Sequence, residues 1–438
     1  LYDILKTLQE REISYAEMTH SNEPTPGTQM YLEIQKFEFD RKTHEEIAQG
    51  GEAKIPLGTR KEVNAVMKRL YPEFDFREIK EALSLLWLNN ESYVRISPPE
   101  RIARVLRLYQ QGRRHDGLYL NVEETKQVSR YRESRILFSV GNPQQKGFIT
   151  QVSEVFQRLR IGVRRFYGLN ISTGVHLYFL GTFYVTPLDE QSIEKNSGLF
   201  RNLQAELYNT QILSTSRSTY TIFLANRIMT GEEASLTNAF VAFCHTSLAH
   251  EQPDRFDLET VKSAFHSDPN FTLKLINIFK NRFDPDIENR QEAHKKALKE
   301  MAQTIESYNT GHKYLDEIRK TIFRACLSFI HYTLKTNFFV PEKHALAFRL
   351  DPAYLVELGP EFTSGLPSGT PFRITFFFGR HGIGYHIGFS DIARGGWRTI
   401  ICATQDEHTT NTNSLFREVF VLAHTQHLKN KDIYEGGS

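Results

Sequence analysis

The part of this chain that most constrains its fold is residues 132–210, where strand and helix periodicities alternate. In "VHLYFLGTFYV" (175–185) apolar residues alternate with more polar ones, as in a strand with two unlike faces. An earlier segment repeats apolar residues at helical spacing: Phe148, Val152, Val155, Phe156 and Leu159. Further strands are predicted at 135–140 and 161–166, and a second helix at 197–209. The order strand, helix, strand, strand, helix predicts an antiparallel sheet with both helices on one face.

The N-terminal residues repeat the later part of this unit. A helix remnant (Leu1–Gln9) precedes a strand at 13–18, the turn-rich "NEPTPGTQ" (22–29) and an alternating strand at 30–39. The βαββαβ order resembles that of ACT-like regulatory modules. The resemblance implies a ferredoxin-like fold and a small-molecule effector. A generic α+β domain explains the same element order and remains the alternative.

The other segments complete an α+β chain. Residues 59–111 are predicted to be helical, and the polar "RFDPDIENR" (282–290) to be a linker. A helix pair follows at 290–308 and 313–336. Strands are predicted at 346–350, 372–378 and 382–389, and a last helix at 413–429. The predicted division is a partial ACT-like module (1–56), a helical segment (57–131), an ACT-like module (132–215), a helical linker region (216–336) and a C-terminal part (337–438).

Composition excludes several classes of protein. The 54 Lys and Arg residues balance the 52 Asp and Glu residues to a net charge of +2, which gives no bulk field for nucleic acid or a membrane surface. The three cysteines are scattered, which favours a reducing compartment without disulfides. No apolar run approaches a membrane span, and no signal peptide is visible. We therefore expect a cytoplasmic protein.

The chain begins with Leu1 inside a helical pattern and stops at Ser438 in a glycine turn, so we expect a fragment of a longer protein.

The last predicted helix carries a pattern that changes character. Asn413 is a candidate N-cap. One face is apolar for two turns and then becomes polar, in the order Leu415, Val419, Leu422, Gln426 and Lys429. The structural explanation is that the helix leaves the core and that Lys429 favours the negative end of the helix dipole. The functional explanation is that the amide and the ammonium group bind one ligand.

A second polar motif lies upstream, in "ARGGWR" (393–398). Gly395 and Gly396 expose backbone N–H groups between Arg394 and Arg398. Such a site suits a carboxylate, because arginine offers paired, charge-assisted hydrogen bonds. A glycine bulge in a strand with two surface arginines is the structural alternative.

Three stretches together resemble one family. They are "TLKTNFFVPEKHALAFRLDP" (333–352), "SDIARGGWR" (390–398) and "LFREVFVLAHTQHLKNKDIYEGGS" (415–438), and they resemble the large NAD-specific glutamate dehydrogenases. The resemblance is clear over about 313–438. It implies that residues 337–438 begin an α/β substrate-binding domain. It further implies that Arg394, in a position where the wider superfamily has lysine, binds the distal carboxylate of the substrate beside Gly395 and Gly396. Gln426 and Lys429 would hold the α-carboxylate.

The same resemblance implies the reaction. It is hydride transfer from the glutamate α-carbon to NAD, followed by hydrolysis of the imine to 2-oxoglutarate and ammonia. In the family the catalytic lysine follows the Gly-Gly-Ser or Gly-Gly-Ala turn. We therefore expect no catalytic and no NAD-binding residue within this chain, an inactive fragment, and a parent that forms homo-oligomers. The alternative is an amino-acid-sensing ACT-type regulatory or oligomerisation module without catalysis.

Other motifs are weaker. The glycines of "GIGYHIG" (382–388) approach a dinucleotide fingerprint, but they lie in strand sequence with no helix after it. The histidines at 381, 386, 408, 424 and 427 show no ligand spacing, so no metal site is predicted. Asp406 and Glu407 are expected in a solvated first helical turn.

Overall fold

The chain folds as two compact units, Leu1–Thr210 and Gln211–Ser438. A computed structural model describes residues 1–39, 44–115, 117–124, 133–189, 193–215, 217–390 and 398–436. Both units combine helices with one antiparallel sheet, so the expected α+β class is confirmed. Within the described ranges, none of the helices has the length and apolarity that crossing a bilayer requires.

The first unit is built on a six-stranded sheet. Its strands are β1 (Tyr15–Pro24), β2 (Tyr31–Glu38), β3 (Leu118–Glu124), β4 (Ser134–Gly141), β5 (Ile161–Ser172) and β6 (Leu177–Pro187). Their spatial order is β2-β1-β5-β6-β4-β3, and all neighbours are antiparallel. The helices are α1 (Tyr2–Thr7), α2 (His44–Ala48), α3 (Leu57–Leu70), α4 (Phe76–Asn89), α5 (Glu91–Ile96), α6 (Pro99–Arg114), α7 (Phe148–Arg158) and α8 (Gly198–Asn209).

Helices α7 and α8 lie on the same face of this sheet. Phe156 of α7 and Leu203 of α8 share one hydrophobic core with Phe138 and Phe183 of the strands. Phe183 stacks on Phe166 with ring centroids 4.5 Å apart. The prediction for residues 132–210, an antiparallel sheet with both helices on one face, is therefore confirmed.

The other face of the sheet is covered by the helices of residues 57–114. Leu86 and Leu106 pack against Leu137 and Leu180, whose side chains point away from α7 and α8. The predicted helical character of 59–111 is confirmed. Strand β3 was not predicted, because the sequence suggested a helical segment over 57–131. This strand pairs with β4 and closes one edge of the sheet.

Residues 1–39 join the same sheet. β1 pairs with β5, so Tyr15 lies opposite Leu169 and Met18 opposite Phe166. β1 also runs further than predicted, to Pro24, into the stretch expected to be a loop (22–29). Two helix–strand–strand segments thus meet edge to edge in one sheet. Their assignment as ACT-like modules remains a prediction.

The second unit contains a four-stranded sheet and a helical layer. The strands are β7 (Thr333–Thr336), β8 (Ala345–Leu350), β9 (Arg373–Gly379) and β10 (Ile383–Gly388), in the order β10-β9-β8-β7. A π-helical turn (Tyr220–Leu224) precedes the helices, which are α9 (Gly231–Ala249), α10 (Leu258–Ser267), α11 (Pro269–Phe283), α12 (Arg290–Glu306), α13 (Lys313–Tyr332), α14 (Tyr354–Leu358), α15 (Pro360–Thr363) and α16 (Gln405–Gly436).

Helix α9 forms the centre of this unit. Every residue from Ala234 to Ala249 is buried. Phe243 packs on Phe329 of α13 at 4.2 Å between ring centroids and on Phe376 of β9 at 5.6 Å. Helices from the segment interpreted as a linker (216–336) therefore share one core with the strands that follow.

Two helix boundaries differ from the sequence prediction. α13 ends at Tyr332 rather than 336, and the next residues form β7, which pairs with β8. α16 begins at Gln405 rather than 413. Its first turn is held by Thr404, whose Oγ1 accepts a hydrogen bond from the backbone N–H of Glu407 at 3.2 Å. The first turn contains Asp406 and Glu407, both exposed, as expected.

Candidate functional site

Helix α16 carries the candidate site and is anchored by two aromatic side chains. Phe416 and Phe420 are buried, and the ring of Phe416 lies 5.2 Å from that of Tyr385 in β10. The predicted apolar face was centred on Leu415, Val419 and Leu422. Leu422 is in fact 41% exposed, so the buried face is rotated from the predicted one. The larger aromatic rings on the adjacent face fill the space above β10.

The predicted N-cap residue has a different role. Asn413 lies two turns inside α16, and its Oδ1 accepts a hydrogen bond from His245 Nε2 of α9 at 2.9 Å. Burial lowers the pKa of His245, and the hydrogen bond to Asn413 opposes this only in part. This pair therefore ties α16 to the central helix through a neutral imidazole.

Gln426 and Lys429 lie beyond the anchored part of α16. Their i, i+3 spacing puts both side chains on one flank of the helix. Gln426 is half-buried and Lys429 is exposed. Within the described part of the chain neither side chain makes a hydrogen bond or ion pair. Both polar groups are therefore available to a ligand.

The length of α16 also bears on the structural explanation of Lys429. The helix continues to Gly436, so Lys429 stands about two turns before its end. The dipole effect falls off within the last turn of a helix. The dipole therefore contributes little to the placement of Lys429.

An aromatic contact links this part of α16 to the end of β10. The ring of Phe389 lies 5.2 Å from those of Phe420 and His424, and 5.9 Å from that of His427. We call these four residues the Phe389 cluster. Sequence reasoning missed it, although the i, i+3 spacing of the two histidines was a visible signal.

Arg394, Gly395 and Gly396 lie outside the described residues. The predicted cleft that joins Arg394 to Gln426 and Lys429 therefore remains a prediction. Arg398, on the other side of the motif, is exposed.

The glycines of "GIGYHIG" lie in a hairpin strand, as predicted. β10 pairs antiparallel with β9 over its whole length, with Tyr385 opposite Phe376. A dinucleotide site requires a strand, a glycine turn and the start of a helix. The described residues of this motif do not fit NAD.

The first unit contains a surface depression at the start of α7. Its lining includes Arg11, Gly147 and Asn170. Asn170 donates from Nδ2 to the carbonyl oxygen of Ile13 at 2.7 Å, while its Oδ1 is buried with no hydrogen-bond partner. This depression lies where residues 1–39 meet the later part of the sheet.

Comparison with known proteins identifies relatives of part of the chain. Glutamate dehydrogenase 2 of Dictyostelium discoideum is 46% identical over 123 residues, which cover 28% of this chain and 11% of that protein. The NAD-specific glutamate dehydrogenase of Saccharomyces cerevisiae is 47% identical over 105 residues, or 24% of this chain and 9% of that protein. The Neurospora crassa protein of the same name is 42% identical over 123 residues, again 28% of this chain and 11% of that protein.

Part of this chain is similar to the NAD-specific glutamate dehydrogenases. The resemblance expected from the sequence motifs is thereby confirmed for about a quarter of the chain. The matched segments span only about a tenth of the length of these curated relatives. No protein-family profile matches the chain.

Proposed function

We propose that this chain supplies substrate-binding groups and a regulatory region to an NAD-dependent glutamate dehydrogenase. The reaction is the oxidative deamination of L-glutamate to 2-oxoglutarate and ammonia. The observation that carries the proposal is the Phe389 cluster, which holds the end of β10 against the turn of α16 that bears Gln426 and Lys429. Arg394 follows Phe389 by five residues, a separation that a chain spans in at most about 18 Å.

Each proposed residue has a role that its chemistry supports. Lys429 and Gln426 bind the α-carboxylate, because an ammonium and an amide N–H can both donate to the same carboxylate. Arg394 binds the distal carboxylate through its guanidinium group, and Gly395 and Gly396 let the backbone approach the substrate closely. These contacts fix the orientation of the α-carbon.

The catalytic groups are assigned outside residues 1–438. NAD accepts the hydride when it is bound, and a lysine with a lowered pKa activates water for imine hydrolysis. In the family that the chain resembles, that lysine follows a Gly-Gly-Ser sequence, which residues 436–438 match.

Replacing Lys429 with alanine in an enzyme that contains this chain tests the proposal. Loss of one charge-assisted contact, about 1.5–3 kcal/mol, should lower kcat/KM for glutamate roughly ten- to a hundred-fold. kcat/KM for NAD should change little. Lys299→Ala is the matched control, because Lys299 is an exposed lysine on α12. If the Lys429→Ala variant keeps the wild-type kcat/KM for glutamate, the role assigned to Lys429 is wrong.

The regulatory part of the proposal concerns the first unit. We assign a small-molecule effector to the depression that Asn170 and Gly147 line, at the N-terminus of α7. Calorimetry with each amino acid against the wild type and Asn170→Ala would test this. An amino acid that binds both proteins equally well would contradict the assignment. The parent is further proposed to be a homo-oligomer.

A further inference from the structure

The six-stranded sheet of the first unit ends in a strand with one free side. β2 lies at one end of the spatial order, and β1 is its neighbour on the other side. Edge strands of folded proteins usually carry a proline, a bulge or outward charges that keep other chains from pairing with them. β2 contains no proline and pairs regularly along its own length. We call its free side the open edge.

Alternate residues of β2 direct their backbone groups to opposite sides of the strand. The backbone N–H of Leu32 donates to Oγ of Ser21 in β1 at 3.0 Å, and the carbonyl oxygen of Glu38 accepts from the N–H of Ser14 at 2.8 Å. The even-numbered residues therefore bond towards β1. The N–H and C=O groups of the odd-numbered residues point to the open edge, where the described part of the chain offers them no backbone partner. These residues are Tyr31, Glu33, Gln35 and Phe37.

Apolar side chains accompany this free backbone. Leu32 and Ile34 are 57% and 64% exposed. Both lie on the same face of the sheet as Tyr15 of β1, which packs against Tyr93 of α5 at 5.5 Å between ring centroids. The helical layer that buries Tyr15 thus leaves these two side chains of β2 exposed to solvent. Burying them is a source of free energy for association.

The charged side chains of β2 are held against their own chain. Nζ of Lys36 lies 2.6 Å from Oε1 of Glu38, whose Oε2 accepts a hydrogen bond from Asn90 at 3.1 Å. Oε2 of Glu33 lies 2.7 Å from Nε2 of His20 in β1. These contacts leave the open edge accessible to another strand.

We propose that two copies of the chain pair through the open edge, with their β2 strands antiparallel about a two-fold axis at Ile34. The two six-stranded sheets would then form one continuous sheet. Each of the four odd-numbered residues would donate one backbone hydrogen bond and accept another, roughly eight bonds in all. This contact gives the homo-oligomer proposed above a defined interface.

The side chains of β2 distinguish between the possible axes. Residues directly opposite one another point to the same face, so a two-fold axis near the middle of β2 passes through residue 33, 34 or 35. An axis at Glu33 would set two carboxylates against each other, and an axis at Gln35 would set Glu33 against the ring of Phe37. An axis at Ile34 joins the two isoleucine side chains and places Tyr31 opposite Phe37. It also places Glu33 opposite Gln35, whose amide can donate to a carboxylate.

Analytical ultracentrifugation of residues 1–438 tests the proposal without glutamate or NAD, so a negative result would leave the proposed reaction standing. The wild type should form a concentration-dependent dimer. Ile34→Lys sets two ammonium groups opposite one another at the axis and should weaken the dimer at least about tenfold. Val356→Lys is the matched control, because Val356 is an apolar side chain 84% exposed on α14 of the second unit. Its dimer should be as stable as that of the wild type.

A proline tests the backbone pairing separately from the side chains. Gln35→Pro removes an N–H that points to the open edge, and an edge strand tolerates proline at such a position. The variant should be monomeric and should keep a cooperative thermal unfolding transition. If it does not fold, Ile34→Lys still decides, because the side chain of Ile34 is exposed and its replacement leaves the pairing with β1 intact.

Disulfide cross-linking tests the register. With the axis at Ile34, the Cα atoms of the two copies of residue 34 lie about 4.5 Å apart, which suits a disulfide. Cys402 is only partly buried, so the assay uses a Cys402→Ser background. Ile34→Cys should form a covalent dimer with oxidised glutathione, whereas Leu32→Cys should not, because residue 32 would face Lys36 of the partner subunit.

Three outcomes would overturn the proposal. The wild type could stay monomeric at a few hundred micromolar, which would mean that a different strand or no strand covers β2. Ile34→Lys could dimerise as tightly as the Val356→Lys control. Leu32→Cys could cross-link as readily as Ile34→Cys, which would exclude the two-fold axis at Ile34.

Discussion

A buried ion triad between α7 and α8 allows a quantitative test of the first unit. Nε of Arg158 lies 2.9 Å from a carboxylate oxygen of Glu154, one helical turn earlier, and its Nη2 lies 2.9 Å from one of Glu206 on α8. The three side chains are only 6–12% exposed. Burial alone would lower the pKa of Arg158, but Glu206 and Glu154 outweigh this effect and raise the pKa above its usual range.

Replacing Arg158 with methionine should destabilise the unit strongly. Methionine keeps most of the apolar stem, so the main loss is the positive charge between two buried carboxylates. Removing one partner of a buried ion pair costs about 3–5 kcal/mol, because the remaining charge is left uncompensated. Folded proteins are stable by only about 5–15 kcal/mol, so this would be a large fraction of the total.

The effect should depend on pH with a defined sign. Without Arg158, burial raises the pKa of Glu154 and Glu206 in the folded state above their unfolded values. Protonation then favours the folded state, so stability is highest at low pH and is lost as pH rises through the folded pKa values. The loss caused by Arg158→Met should therefore be larger at pH 8 than at pH 5.

Urea unfolding followed by the fluorescence of Trp87, which is buried in the first unit, would measure these effects. Trp397 is the other tryptophan of the chain, so the assay uses a Trp397→Phe background. The control Arg69→Met removes a guanidinium that is 65% exposed and should change the free energy of unfolding by no more than about 0.5 kcal/mol. A loss below about 1 kcal/mol for Arg158→Met, or a loss that is equal at pH 5 and pH 8, would refute the reasoning.

Replacing all three members of the triad provides a further check. With methionine at 154, 158 and 206 no buried charge remains unpaired, so the free energy of unfolding should return to within about 1–2 kcal/mol of the wild type. If the triple variant is as unstable as Arg158→Met, then side-chain packing, and not the unpaired buried charge, causes the loss in the free energy of unfolding.

Three further predictions follow from local structure. Gly117→Ala should cost about 1–3 kcal/mol in urea unfolding, because φ is +87° there and a Cβ atom would lie 2.8 Å from Cα of Gly141. A thiol reagent should modify Cys402 quickly and the other two cysteines, which are buried, only in denaturant. Burial and nearby Arg417 lower the pKa of His250 to about 4, so its contribution to stability is complete above pH 6.5 and is lost as pH falls towards 4. His250→Phe should reduce the acid sensitivity seen in pH-dependent unfolding.

Some elements could be predicted from the sequence because their burial is one-sided. Helix α7 has one apolar face against the sheet, so helical spacing revealed it. Helix α9 has no such signal, since it is buried on every side from Ala234 to Ala249 and its residues alternate between small, polar and aromatic without a period. Its central position was therefore not predicted.

Other features depend on partners that are distant in the sequence. The pairing of β1 with β5 joins residues about 150 positions apart, and nothing in either strand specifies the other. The early start of α16 was missed because its first two turns are polar and exposed. The hydrogen bond to Thr404 and the contact of Glu407 with the backbone N–H of Ala403 stabilise them, and these signals do not depend on hydrophobic spacing.

The structure also bears on the two explanations of Gln426 and Lys429. The helix does leave the core, because no residue from 421 to 429 is buried. A helix end that only faced solvent would be polar on all sides. In α16 the exposed side chains include Val421 and Leu422, 38% and 41% exposed, and Leu428, 48% exposed, beside the two polar groups. Ligand clefts combine apolar walls with a few polar groups that orient the ligand. This composition is not that of a merely solvated helix end, and the dipole does not account for Lys429 two turns before Gly436. The assignment of Gln426 and Lys429 to the substrate remains a proposal.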